Sequence, residues 1–99
     1  MVSKLQKAVL WIVALNMVVY TLKEVTHVQR PNGYNYRSFP SGHAANAWYL
    51  ATLVSFNPFA TALATLVSYT SVSQGWHSVL DVVVGSALGI AAAKSTLSF

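Results

Sequence analysis

The sequence predicts an all-α fold: an integral membrane bundle of about four short transmembrane helices, forming one domain over residues 1–99. Three observations predict it. Of the 99 residues, 55% are hydrophobic and only 8% are charged, against about 25% charged in ordinary soluble domains. The charges leave two long gaps, with none in residues 8–22 or in residues 38–80. The mean hydropathy is +0.50, far too apolar for a disordered chain, and the absence of cysteine excludes a disulfide-stapled secreted domain.

The first apolar segment, Ala8 to Leu22, follows a lysine-bearing start and is expected to continue as helix toward Gln29. A positive start before an apolar run also describes a signal peptide. No small-residue cleavage site follows, because the run exits through Thr21-Leu22-Lys23-Glu24, so a retained helix is expected. Pro31-Asn32-Gly33 stops it by Arg30. Residues 31–42 form a loop in which Tyr34, Tyr36 and Phe39 are candidate interfacial anchors.

The second segment is expected over 43–56, opening at Ser41-Gly42-His43. Asn57-Pro58 breaks it, and Pro58 suits the first turn of a third helix over 59–72. Ser73-Gln74-Gly75 ends that helix, and the fourth runs from Trp76 to Ala93, before Lys94. Its Gly85-x-x-x-Gly89 spacing permits close helix approach in a membrane and is compatible with a homo-oligomer. Each segment falls short of the roughly 20 residues a full span prefers.

Lys4, Lys7 and Lys94 lie near the two ends, which places both termini in the cytoplasm by the positive-inside rule. The 23–42 loop and the 73–77 turn then share the extracytoplasmic face, with the inner cell membrane as the expected location. The net charge of +4 and a pI of about 9.7 do not indicate nucleic acid, because the basic residues form no patch or tract.

Five chemistry-bearing residues gather at that outer end. Lys23, His27 and Arg30 follow an i, i+4, i+7 spacing, so a continuing helix places them on one face. Two permanent cations there suit a phosphate, although, taken alone, snorkelling toward headgroups is the favoured reading of them. Pro40-Ser41-Gly42-His43 enters a helix whose first-turn N–H groups can hold an anion, with His43 beside them to move a proton. His77 and Asp81 are spaced i, i+4, so the carboxylate is the nearest candidate to hold the imidazole. A structural N-cap at Ser41 and a structural His–Asp pair are the bland alternatives.

The order Lys23-x6-Arg30-Pro31, Pro40-Ser41-Gly42-His43, His77-x3-Asp81 resembles the type 2 phosphatidic acid phosphatase (PAP2) superfamily, which also includes vanadium haloperoxidases. The resemblance spans residues 23–81. It implies a lipid-phosphate or lipid-pyrophosphate phosphatase acting through a phosphohistidine on His77, with Asp81 orienting it. His43 is implied as the acid and then the base, and Lys23, Arg30, Ser41 and Gly42 as phosphate binders. No metal or other cofactor is implied, and the partners are a phosphorylated lipid and the membrane. The chain departs from the family pattern at Ser71, where the third motif usually carries arginine. Arg37, six residues before His43, is the candidate substitute cation. Membrane members typically have six helices, so about four here resemble the catalytic half. The departure leaves an alternative open: an impaired module of the same family that binds phosphorylated lipid without turnover.

Overall fold

The computed structural model describes residues 3–98, so positions 1, 2 and 99 of the expected domain lie outside it. It is all-α, with α1 at Lys4–Thr26, α2 at Gly42–Leu53, α3 at Pro58–Ser73 and α4 at Val79–Ser98. At about 1.5 Å per residue, α1 and α4 are roughly 34 and 30 Å long, close to a hydrocarbon core. These two helices are long and apolar enough to cross a membrane. With 12 and 16 residues, α2 and α3 are shorter than a full span.

Each start follows from a cap. Ser3 and Gln6 form a capping box on α1. Asn57 caps α3, its Oδ1 accepting from the Phe59 and Ala60 N–H groups, with Pro58 where no N–H is needed. Ser78 and Asp81 form a reciprocal box at the start of α4: Ser78 Oγ accepts from Asp81 N at 3.2 Å and Asp81 Oδ2 accepts from Ser78 N at 2.7 Å. The fourth helix therefore begins at Val79 rather than Trp76, and it runs past Lys94 to Ser98.

The end of α1 also differs from expectation. His27 adopts a left-handed conformation (φ 51°) and its N–H closes on Lys23 O at 3.1 Å, so the helix stops at Thr26. The His27 ring stacks on Tyr36 at 4.9 Å, and Ser38 N bonds Val28 O at 3.0 Å. Lys23, His27 and Arg30 therefore do not share a helical face. Arg30 lies in the loop, in a turn closed by Arg30 N to Asn35 O at 2.8 Å.

The helices form a slab of 45 × 30 × 14 Å. α4 lies against α2 over the most extensive interface; α1 flanks both and α3 packs chiefly on α2. Gly85 and Gly89 make the α2–α4 approach possible, since a Cβ at either would collide with the Ser41 or Ala45 carbonyl oxygen. The expected small-residue contact is thus made within the chain. Leu15, Val19, Ala45, Tyr49 and Ala93 form the core. The hydroxyl of buried Tyr49 donates to Ala8 O at 2.8 Å and meets Thr96 Oγ1 at 2.9 Å, drawing the start of α1 and the end of α4 together. The opposite end carries the loops, joined by Asn32 N to Gly75 O at 2.9 Å.

Candidate active site

At the loop end, Lys23, Arg30, Arg37, Gly42, His43 and His77 line one cavity of about 400 Å³. Asp81 and Ser41 are not among its lining residues.

His77 sits just before α4 and is almost fully buried. Its Nδ1 lies 2.6 Å from the Ser38 carbonyl oxygen. A carbonyl only accepts, so Nδ1 carries the hydrogen, and Nε2 is left with its lone pair toward Arg30 Nη1 at 3.3 Å. Burial dominates the titration and pushes the His77 pKa from 6.5 down to about 4; the Ser38 carbonyl opposes this, Lys23 and Arg30 reinforce it, and Asp81 opposes it. The ring is neutral at physiological pH, the form that acts as a nucleophile.

The titration predicts a stability dependence with a definite sign. Unfolded His77 takes up a proton near pH 6.5 and folded His77 only near 4, so stability falls as pH drops through that window. The checking measurement is nitrogen NMR of labelled imidazole. Nε2 of His77 stays unprotonated at pH 5, whereas an ordinary titration near 6.5 would contradict the burial argument.

Asp81 does not hold His77 directly: Nδ1 to Oδ2 is 3.9 Å, beyond a hydrogen bond. Its Oδ2 instead accepts from Ser38 Oγ and from Ser78 N. Asp81 therefore reaches the imidazole through Ser38, whose hydroxyl it fixes and whose carbonyl holds the ring. As the third residue of α4 it also sits at the positive end of the helix.

The cations are positioned by the loop. Arg30 donates from Nε to Asn35 Oδ1 at 2.7 Å and from Nη1 to Trp76 O at 3.0 Å, with its guanidinium 5.4 Å from the Trp76 ring centroid. Burial, and then repulsion from Arg37, lower its pKa, yet a guanidinium stays charged at neutral pH. Lys23 Nζ donates to Arg37 O at 2.6 Å and Pro40 O at 2.8 Å. Two of its three N–H donors thus pin the loop, leaving one for a ligand. Arg37 pairs with Glu24 and lies over the Tyr20 ring at 5.1 Å.

Ser41 is the N-cap of α2: fully buried, its Oγ accepts from Ala44 N at 3.2 Å and its N–H donates to Asp81 O at 3.0 Å. Its side chain faces the helix rather than the cavity. The N–H groups of Gly42 and His43 begin the first turn, where no intrahelical carbonyl is available to them. A Cβ at Gly42 would meet Val19 Cγ1 at an ordinary 3.6 Å. Ser71, at the third-motif position, is buried and bonds Val67 O, while its carbonyl accepts from Trp76 N and His77 N.

Sequence reasoning missed Ser38, which holds His77 through a backbone carbonyl and meets Asp81 through a hydroxyl 43 residues away in the chain, so neither contact leaves a local signal. It also missed Asn16 and Asn46, which line the same cavity; a polar amide inside an apolar run is the signal that marks such residues. Among the described residues, no cluster of His, Asp or Glu could hold a metal ion.

Fold and site together define a helical protein of membrane character with a buried histidine facing a pocket lined by Lys23, Arg30 and Arg37. The chain belongs to the PAP2 superfamily, whose family profile matches residues 5–99. No curated protein and no solved structure is similar enough to add to that assignment. Membership brings phosphatase-type chemistry on phosphate esters, and with the two apolar helices it points to a membrane protein.

Proposed function

We propose that this protein is a lipid-phosphate or lipid-pyrophosphate phosphatase working through a phosphohistidine at the extracytoplasmic membrane face. The observation that carries the reading is the lone pair of His77 Nε2 beside Arg30, in a cavity shared with Lys23, Arg37 and His43. Nε2 attacks phosphorus, and the bond from phosphorus to the leaving oxygen breaks as His43 delivers a proton to that oxygen. A water then attacks the phosphohistidine while His43 takes its proton, the P–N bond breaks, and phosphate leaves with His77 restored. Arg30, Arg37, the remaining Lys23 N–H and the first-turn N–H groups of α2 stabilise the anionic transition state. Gly42 keeps the backbone open to that approach.

The orientation rests on charge. Lys4 and Lys94 lie at the ends of α1 and α4 away from His77, so the positive-inside rule puts the cavity on the opposite face. The test is phosphate release from phosphatidate and prenyl pyrophosphate by detergent-purified protein, with vanadate as inhibitor. Vanadate-sensitive release supports the reading, and binding of these lipids without turnover favours the impaired module that Ser71 leaves open.

Arg37→Ala is expected to lower kcat about a hundredfold if Arg37 supplies the cation absent at Ser71. An unchanged kcat would remove it from the site. Ser38→Ala keeps the carbonyl but cuts the link to Asp81. It should lower kcat about tenfold, and the double variant with Asp81→Asn should be no worse than Asp81→Asn alone. Additive losses would show that Asp81 acts on His77 by another route.

A further inference from the structure

We infer that the paired amides of Asn16 and Asn46 form an acceptor subsite for a hydroxyl group on the alcohol portion of the substrate. The preferred substrates are then lipid phosphate monoesters with a free hydroxyl near the scissile bond. The inference rests on the phosphatase reading above and narrows its substrate class.

The amides face each other across α1 and α2. Asn16 Nδ2 donates to Asn46 Oδ1 at 2.9 Å and to Ile12 O at 2.8 Å. Asn46 Nδ2 donates to Asn16 Oδ1 at 2.9 Å and to Gly42 O at 2.8 Å. Turning either amide over would set its oxygen against a helix carbonyl, so the orientation is fixed by the backbone. Both hydrogens of each amide are then used, while each Oδ1 keeps a second lone pair. The capacity the pair retains is for accepting, so its ligand is a donor.

Position says which part of the substrate meets it. Asn16 and Asn46 line the cavity that holds His77 and His43. Asn46 is one turn after His43, about 4.5 Å deeper along α2, and Asn16 is seven residues before Lys23, about 10.5 Å deeper along α1. The pair therefore lies below the phosphate groups, on the side from which His43 protonates the leaving oxygen. Asn16 and Tyr20 also border an apolar groove on α1 with Ile12, Val13, Met17 and Thr21. The two hollows share Asn16 and Tyr20 as a common wall, an order that suits a phosphate, then a hydroxyl, then a hydrocarbon chain. A second phosphoryl group at that depth offers only acceptors to acceptors, so prenyl pyrophosphates are disfavoured.

The experiment compares kcat/KM of the full chain for 1-oleoyl lysophosphatidate and its 2-deoxy analogue, which differ by one hydroxyl, in mixed micelles. The wild type is expected to favour the hydroxylated ester about tenfold or more, and Asn46→Leu to bring the ratio to about one. Equal efficiencies in the wild type, or a preference that survives Asn46→Leu, would overturn the subsite and leave the amides as a clamp between α1 and α2. Should neither ester be hydrolysed, the phosphatase reading fails by itself. The subsite is then read from the two dissociation constants, followed by the intrinsic tryptophan fluorescence of the full chain: an advantage of about tenfold for the hydroxylated lipid supports it, and equal affinities overturn it.

Discussion

His77→Ala is expected to reduce phosphate release by about 10⁴-fold or more, the scale seen when a covalent nucleophile is removed. The geometry makes the loss specific. Nδ1 is committed to the Ser38 carbonyl, so Nε2 is the only ring nitrogen that faces the cavity cations. His43 has a different place, at the start of α2 and exposed to the cavity. His43→Ala should therefore retain much of the first-step rate toward esters with acidic leaving groups, which need no proton, whereas His77→Ala should lose that step for all of them. The check is a comparison of first-step (burst-phase) rates on p-nitrophenyl and alkyl phosphate esters, since the second step needs His43 whatever the leaving group. Equal losses for both esters in His43→Ala would remove its role as the acid.

Gly89→Ala is expected to destabilise the fold by about 2–3 kcal/mol, lowering the thermal midpoint by roughly 10–20 °C. A Cβ there would fall on the Ala45 carbonyl, with Ala45 C at 2.9 Å and Tyr49 N at 3.0 Å. Helix backbone cannot turn aside as a side chain can, so α4 must move away from α2. The gain in helix propensity from alanine, about 1 kcal/mol, offsets only part of this. Gly85→Ala adds an effect on activity, because its Cβ would strike the Ser41 carbonyl, at the residue whose N–H holds Asp81 O. Gly42→Ala, with only an ordinary contact to Val19, should leave the midpoint nearly unchanged. Thermal unfolding in detergent distinguishes the three, and a Gly89→Ala midpoint equal to wild type would contradict the α2–α4 packing.

Where the sequence could be read, single residues carried a local rule. Asn57-Pro58 is a cap followed by a residue that lacks an N–H, and it starts α3. Pro31-Asn32-Gly33 sits in the loop it was expected to create, and the scarcity of charge already required apolar helices. The gathering of Lys23, Arg30, His43 and His77 at one end follows from the up-and-down order of the helices. Long-range and backbone-mediated features were not legible. The left-handed His27 ends α1 early with no glycine to announce it, and its ring is held by Tyr36 nine residues on. The i, i+4 spacing suggested that Asp81 holds His77, but the carboxylate turns back to cap its own helix and reaches Ser38. Lys23 was expected to bind phosphate and also fastens the loop through two carbonyls. Glu24, without a role in the sequence, pairs with Arg37.

The most direct test of the central claim is to trap the intermediate. The protein is mixed with a lipid phosphate monoester labelled with ³²P, quenched in alkali within the first turnover, and digested for mass spectrometry. The account predicts acid-labile, alkali-stable label on the peptide containing His77, absent in His77→Ala. Hydrolysis that proceeds with no label on His77, or with label on another residue, would contradict it.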